Sequence, residues 1–258
     1  MARAERENIR VVLLDIEGTT TPIDFVYKAL FPYASQNVES FLAERFTRPD
    51  IRAAVRELKA EHTKDVAADL AAPAWPDDSN HELRACVAYL RWLMARDSKC
   101  TPLKWLQGQI WQRGFESGEL NGEVFDDVPR AFARWKQQGR EIAIYSSGSV
   151  LAQKLLFGTV RLGDLALSIS AYFDTEVGAK AAAESYTRIA TSMRRSPREF
   201  LFVSDAEKEV LAAQAAGMCV ALCDRHKTNV LTPAAAQLKS FETITSFDEI
   251  LPETNIAA

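Results

Sequence analysis

A carboxylate that attacks phosphorus needs a cation beside it, because the nucleophile and the phosphoryl group both carry negative charge. Residues for such an attack stand at the ends of three short apolar runs. Asp15-Ile16-Glu17-Gly18-Thr19 follows the run from Ile9 to Leu14, Ser146-Ser147-Gly148-Ser149 follows Glu141 to Tyr145, and Ser204-Asp205 follows Phe200 to Val203. Between the last two lies a polar loop, Phe173 to Lys180. Asp15 and Asp205 offer the hard oxygen donors that suit Mg²⁺, a cation that keeps several of its waters. As an ionised carboxylate, Asp15 can attack phosphorus and form a covalent aspartyl-phosphate. Lys180 adds a positive point charge, and Ser146 and Ser147 can donate hydrogen bonds to phosphoryl oxygens. If the chain stays extended past Asp15, Glu17 falls on the same side two residues on. There it is placed to protonate a leaving oxygen and later to activate water.

These residues need a frame. The apolar runs are short and rich in β-branched residues, the pattern of strands buried on both faces. Helical stretches alternate with them: Val128 through Trp135, stopping near Gly139; Val150 to Phe157, closed by Gly158; a helix opening at Lys180; and an alanine-rich helix after Asp205. Cys219 to Leu222 reads as a fourth strand. Alternation of this kind predicts a parallel sheet with helices on both faces, whose ligands bind outside the carboxyl ends of the strands. Ser149 reads as the N-cap of the helix beginning at Val150.

Residues from about Phe25 to Glu119 have a helical pattern instead. Leu83, Cys86, Val87, Leu90, Leu93 and Met94 share one helix face, and a second face begins at Leu103, Leu106 and Ile110 after Pro102. Ala71 to Asp78 reads as a loop between helices. Trp105, Trp111, Phe115 and Leu103 read as core of this insertion. The expected organisation is a discontinuous α/β core, residues 1–24 and 125–258, interrupted by a helical insertion at 25–124.

The chain has 258 residues, 47% hydrophobic and 26% charged, with 31 Lys and Arg against 35 Asp and Glu. That is enough for a large domain with a smaller one inserted. A net charge of −4 lacks the basic footprint of a nucleic-acid binder or a polybasic membrane-surface protein. No apolar run approaches the ~18 residues of a membrane span. The charged start MARAERENIR has no apolar centre of the signal-peptide kind, so a cytoplasmic address is expected. Cys86, Cys100, Cys219 and Cys223 are too few and scattered for a disulfide scaffold, and with His62, His81 and His226 they show no zinc spacing.

Together, Asp15 to Pro22, Leu30-Phe31-Pro32-Tyr33, Leu106-Gln107-Gly108, Tyr145 to Ser149 and Gln153 to Gly158 resemble one family. It is the methionine-salvage enolase-phosphatases, or acireductone synthases, of the haloacid dehalogenase superfamily. The resemblance runs from Val11 to about Leu251, and its most specific feature is Glu17, where most phosphatases of the superfamily carry a second aspartate. It implies a Rossmann-like three-layer α/β core with a parallel sheet and an inserted α-helical cap that closes over the substrate. It implies one Mg²⁺ per chain, held by Asp15, the backbone carbonyl of Glu17 and Asp205. Asp15 would be the nucleophile, Glu17 would keep its side chain for acid–base work, and Ser146, Ser147 and Lys180 would contact the substrate phosphate. The substrate implied is a small phosphorylated diketone, 2,3-diketo-5-methylthiopentyl 1-phosphate, and the form monomeric. Two stretches depart from the pattern. Ser204-Asp205-Ala-Glu-Lys-Glu209 lacks the second aspartate of the wider superfamily, and Cys223 to Asn229 differs from an Arg-Pro-Gly-Asn run.

Three other readings compete. A phosphatase of another small phosphorylated metabolite would use the same core and differ in cap contacts. A dehalogenase has no use for the metal pair Asp15 and Asp205. A signalling module that accepts phosphate without turnover has no use for Glu17 or the large insertion.

Overall fold

The computed structural model describes residues 7–76, 78, 81–226 and 241–252. It divides into an α/β unit, Met1–Ile23 with Asn121–Ala258, and a helical unit, Asp24–Leu120.

In the helical unit a π-helical turn, Val26–Leu30, leads into α1, Phe31–Arg45, followed by α2, Pro49–Ala67, α3, Glu82–Ala95, and α4, Thr101–Glu116. Prolines stand in the first turns of α2 and α4, where a missing N–H costs no helical bond, and Pro32 follows the π-helical turn that leads into α1. Val38, Phe41 and Leu42 of α1 are buried, as are Val55 and Leu58 of α2, Cys86, Leu90 and Leu93 of α3, and Leu106 and Ile110 of α4. Burial of each such side chain stabilises by about 1.5–3 kcal/mol relative to exposure. Leu103, Trp111 and Phe115 join this core, whereas Trp105 is half-buried. The indole of Trp111 donates to the Leu30 carbonyl at 2.8 Å, so its burial leaves no unmet donor. Ala71 to Pro76 and Asp78 have no regular structure, as expected for a loop; Asp77 lies outside the described residues.

The α/β unit is built on six parallel strands: β1, Val11–Leu14; β2, Glu141–Tyr145; β3, Ala171–Phe173; β4, Phe200–Ser204; β5, Cys219–Cys223; and β6, Glu242–Ile244. Their order is β3-β2-β1-β4-β5-β6. The helices are α5, Asp127–Gln137, α6, Val150–Gly158, α7, Ala183–Ser192, and α8, Glu207–Ala215. Side chains alternate across β1. Val11 and Leu13 pack with Tyr186 and Ile189 of α7 and Val210 of α8. Val12 and Leu14, pointing to the other face, are equally buried. That double cover is why the strand reads as an unbroken apolar run.

Four local expectations need correction. The strand begins at Val11, not Ile9. The sheet has six strands where four were expected: β3, which takes Phe173 out of the polar loop, and β6 are three-residue edge strands, each pairing on one side only. The helix after the polar loop begins at Ala183, three residues beyond Lys180. The Ser185 hydroxyl takes the Ala179 carbonyl at 2.8 Å and the Tyr186 hydroxyl takes that of Lys180 at 2.7 Å, so side chains hold this turn in place of a helical ladder. Finally, α6 ends on Gly158 with no left-handed glycine closing it. Ser149 does cap α6, accepting from the Ala152 amide at 3.3 Å. Among the described residues all four cysteines are free thiols, and no helix is long and apolar enough to cross a membrane.

Candidate active site

All six candidate residues lie in the α/β unit, at the carboxyl edge of its central strands. The sheet reverses its winding between β1 and β4, and there the crevice for ligands opens. Leu14 is level with Ile144 of β2 and Val203 of β4. Asp15 therefore leaves the sheet between the ends of those two strands, and its amide donates to the Val203 carbonyl at 3.0 Å.

The turn after Asp15 is held from within. Amides of Thr19, Thr20 and Thr21 converge on the Ile16 carbonyl at 3.2, 2.9 and 2.9 Å, and the Thr20 hydroxyl donates to the Asp15 carbonyl at 3.1 Å. This bend at Ile16 breaks the extended register, so strand alternation does not place Glu17. Its carboxylate nevertheless comes near enough to Asp205 to help raise that group's pKa. Gly18 has φ +73°, a left-handed conformation that glycine adopts without steric cost. It also makes room: a Cβ there would lie 2.2 Å from Asp205 Oδ2.

Lys180 reaches into this cluster from its turn. Its ammonium lies 2.5 Å from Asp15 Oδ1 and 2.7 Å from Glu209 Oε2, with only 12% of the side chain exposed. Burial disfavours its charge, but Asp15 and Glu209 outweigh burial and hold its pKa above the usual lysine range. The segment is fixed by the Tyr145 hydroxyl, which donates to the Gly178 carbonyl at 3.0 Å. Glu209 also accepts from the Ser204 hydroxyl at 2.9 Å. This is the role its sequence position left unassigned: a buried counter-charge that fixes Lys180.

Asp205 has a strongly raised carboxyl pKa. Burial, then the charges of Asp15 and Glu209, push it up to about 7, with Lys180 opposing and Glu17 adding to the rise. Four carboxylates against one ammonium leave an excess of negative charge, which a divalent cation would balance. Among the described residues no three His, Cys, Asp or Glu side chains form a metal cage by themselves. A hard divalent ion needs less than that, since two carboxylates, one backbone carbonyl and waters suffice. The close approach of the Asp205 carboxylate to Gly18 and the carboxylates of the buried Asp15 and the half-buried Asp205 fit such an ion.

Ser146 follows β2, 3% exposed, and its Oγ accepts the Gly148 amide at 3.1 Å, which leaves its O–H free to donate. Ser147 is half-buried in the same turn. Sequence reasoning missed Arg225, in the loop that departs from the family pattern. Its guanidinium is sandwiched between the rings of Phe125 and Phe247, 4.3 and 4.6 Å from their centroids. Nε and Nη2 donate to the Thr19 carbonyl at 3.0 and 2.7 Å, and Nη1 to Asp127 at 2.6 Å. The Thr19 hydroxyl in turn accepts the Asp205 amide at 2.9 Å. Arg225 thus steadies the turn that carries the nucleophile, a link that spans about 200 residues of sequence and leaves no local signal. Lys227, Thr228 and Asn229 of the same loop lie outside the described residues.

The haloacid dehalogenase-like hydrolase family matches residues 9–217. Enolase-phosphatase E1 of Synechococcus elongatus is 45% identical over 243 residues, covering 94% of this chain and 98% of that protein. Enolase-phosphatase E1 of Drosophila melanogaster is 44% identical over 248 residues, covering 96% and 94%. Among solved structures, UTR4 protein of Saccharomyces cerevisiae superimposes with a TM-score of 0.72 at 29% identity, covering 94% of this chain and 100% of that one. A dehalogenase at 14% identity and TM-score 0.52 shares the fold alone. The chain belongs to the haloacid dehalogenase-like hydrolases and, within them, to the enolase-phosphatase E1 family.

Proposed function

We propose that this chain is the Mg²⁺-dependent enolase-phosphatase of methionine salvage, an acireductone synthase acting as a monomer in the cytoplasm. It converts 2,3-diketo-5-methylthiopentyl 1-phosphate to its enol and then removes the phosphate to leave the acireductone. The observation that carries the reading is the Asp15 carboxylate, buried at the β1–β4 crevice, gripped on Oδ1 by Lys180 and close enough to Asp205 for its charge to raise that group's pKa.

Asp15 attacks phosphorus and carries the phosphoryl group as an acyl phosphate. Lys180 sets a positive charge where negative charge accumulates on the phosphoryl oxygens, and Glu209 keeps that ammonium in place. Ser146 and Ser147 donate hydrogen bonds to the same oxygens. Glu17 gives a proton to the leaving oxygen, then takes one from the water that opens the acyl phosphate, which regenerates Asp15. Asp15, Asp205 and the Glu17 carbonyl would hold one Mg²⁺, whose chemistry is to offset the charge repulsion of the attack and polarise substrate oxygens.

Purified protein incubated with the diketo phosphate and Mg²⁺ tests this directly, with the enol followed by absorbance and phosphate by colorimetry. Both products are expected, the enol first. Phosphate release with no enol would reject the enolase half, and release of neither would point to another phosphorylated metabolite.

A further inference from the structure

Gln153 takes no part in the chemistry above, yet it lies on α6 with 1% exposure, directly behind the serine turn. Its Nε2 donates to two carbonyls at once, Gly148 at 2.8 Å and Phe173 at 2.8 Å. Gly148 closes the turn that carries Ser146 and Ser147, and Phe173 ends β3. The Phe173 carbonyl also accepts the Ser146 amide at 3.1 Å. Both ends of the turn are thereby tied to one point on the edge strand. From Gly148 the restraint passes on, because the Gly148 amide donates to Ser146 Oγ at 3.1 Å and so sets which way that hydroxyl faces.

The side-chain chemistry is specific. Two carbonyls need two N–H donors on one atom, which fixes the amide's orientation and excludes a carboxylate. Oε1 is buried without a hydrogen-bond partner among the described residues. Methionine or leucine would fill the same space without burying an unpaired oxygen, so packing alone does not account for glutamine here.

We propose that Gln153 is a positioning residue for phosphate binding: its amide clamps the Ser146–Gly148 turn to the end of β3 and so presents the serine hydroxyls to the phosphoryl oxygens. This rests on the reading of Ser146 and Ser147 as phosphate contacts.

Titration of the purified protein with inorganic phosphate in the presence of Mg²⁺ tests the proposal, alongside separate titration with Mg²⁺. In Gln153→Met the phosphate Kd should rise about tenfold, and the KM for the diketo phosphate should rise more than kcat falls. Mg²⁺ binding should stay within about twofold of the parent, because the clamp touches neither Asp15 nor Asp205. Gln153→Glu, which sets a carboxylate against two carbonyl oxygens, should weaken phosphate further than Gln153→Met does. An unchanged phosphate Kd in either folded variant would overturn the proposal, as would an equal loss of phosphate and Mg²⁺ binding in a folded variant, the mark of a role not specific to the phosphate turn. Should the variants not fold, the parent labelled with ¹⁵N-glutamine decides: the Gln153 side-chain resonance should shift on phosphate saturation, and one that stays fixed overturns the clamp. A parent that binds phosphate with this dependence on Gln153 but does not process the diketo phosphate would count against the proposed substrate and for the clamp.

Discussion

Gly18→Ala separates backbone strain from loss of the metal site. At φ +73° an alanine pays about 1 kcal/mol for the left-handed conformation. Its Cβ would also stand 2.2 Å from Asp205 Oδ2 and 2.8 Å from Asp205 Cγ. Ordinary contact begins near 3.4 Å, so the carboxylate oxygen must retreat by about 1.2 Å, the difference between 3.4 and 2.2. Mg²⁺ demands near-ideal octahedral geometry, and a shift of about 1 Å in a catalytic group can cost roughly a hundredfold in rate. Gly139→Ala is the matched control, with φ +71° and nothing within 4 Å of the added Cβ. In urea unfolding without metal Gly139→Ala should lose about 1 kcal/mol, and Gly18→Ala that much plus the cost of displacing the Asp205 carboxylate. Only Gly18→Ala should bind Mg²⁺ at least tenfold more weakly by calorimetry and release phosphate about a hundredfold more slowly. Parent-like Mg²⁺ affinity in Gly18→Ala would refute the placement of Asp205 as a metal ligand held over Gly18.

Asp15→Asn should abolish phosphate release, since an amide is not a nucleophile toward phosphorus; turnover in that variant would rule out the covalent route. Glu17→Ala should keep Mg²⁺ affinity, because only its backbone ligates, and lose phosphatase turnover; loss of Mg²⁺ binding would mean that the side chain coordinates. Asp205, with its pKa raised to about 7, binds its proton more tightly folded than unfolded. The metal-free protein should therefore lose stability as pH rises from about 4 to 7, and Asp205→Asn should flatten that slope in thermal melts with chelator. A slope unchanged in the variant would assign it elsewhere. Arg225→Met leaves Asp127 buried without its cation, at 7% side-chain exposure, and should cost about 3–5 kcal/mol in urea unfolding. A loss under about 1 kcal/mol would show that the pair is not holding the Thr19 turn.

The chain's own order of residues determined the parallel α/β core, because strands covered on both faces must be apolar throughout and end abruptly where polar chemistry begins. The Asp15, Ser146 and Asp205 segments were legible for the same reason, since each follows such a run, and Lys180 stood out in the polar loop between the last two. The edge strands β3 and β6 were not, since three residues are too few to show a strand pattern. Nor was the bend at Ile16, which depends on three threonine amides converging on one carbonyl. Only the tertiary structure decided how the site is charged and braced. Lys180 meets Asp15 and Glu209 across 165 and 29 positions of sequence, and Arg225 reaches Thr19 across 206. Gln153 finds its two carbonyls on separate segments. Coulomb attraction and hydrogen bonding act over a few ångströms of space, and distance along the chain carries no trace of them until the sheet has brought the strand ends together.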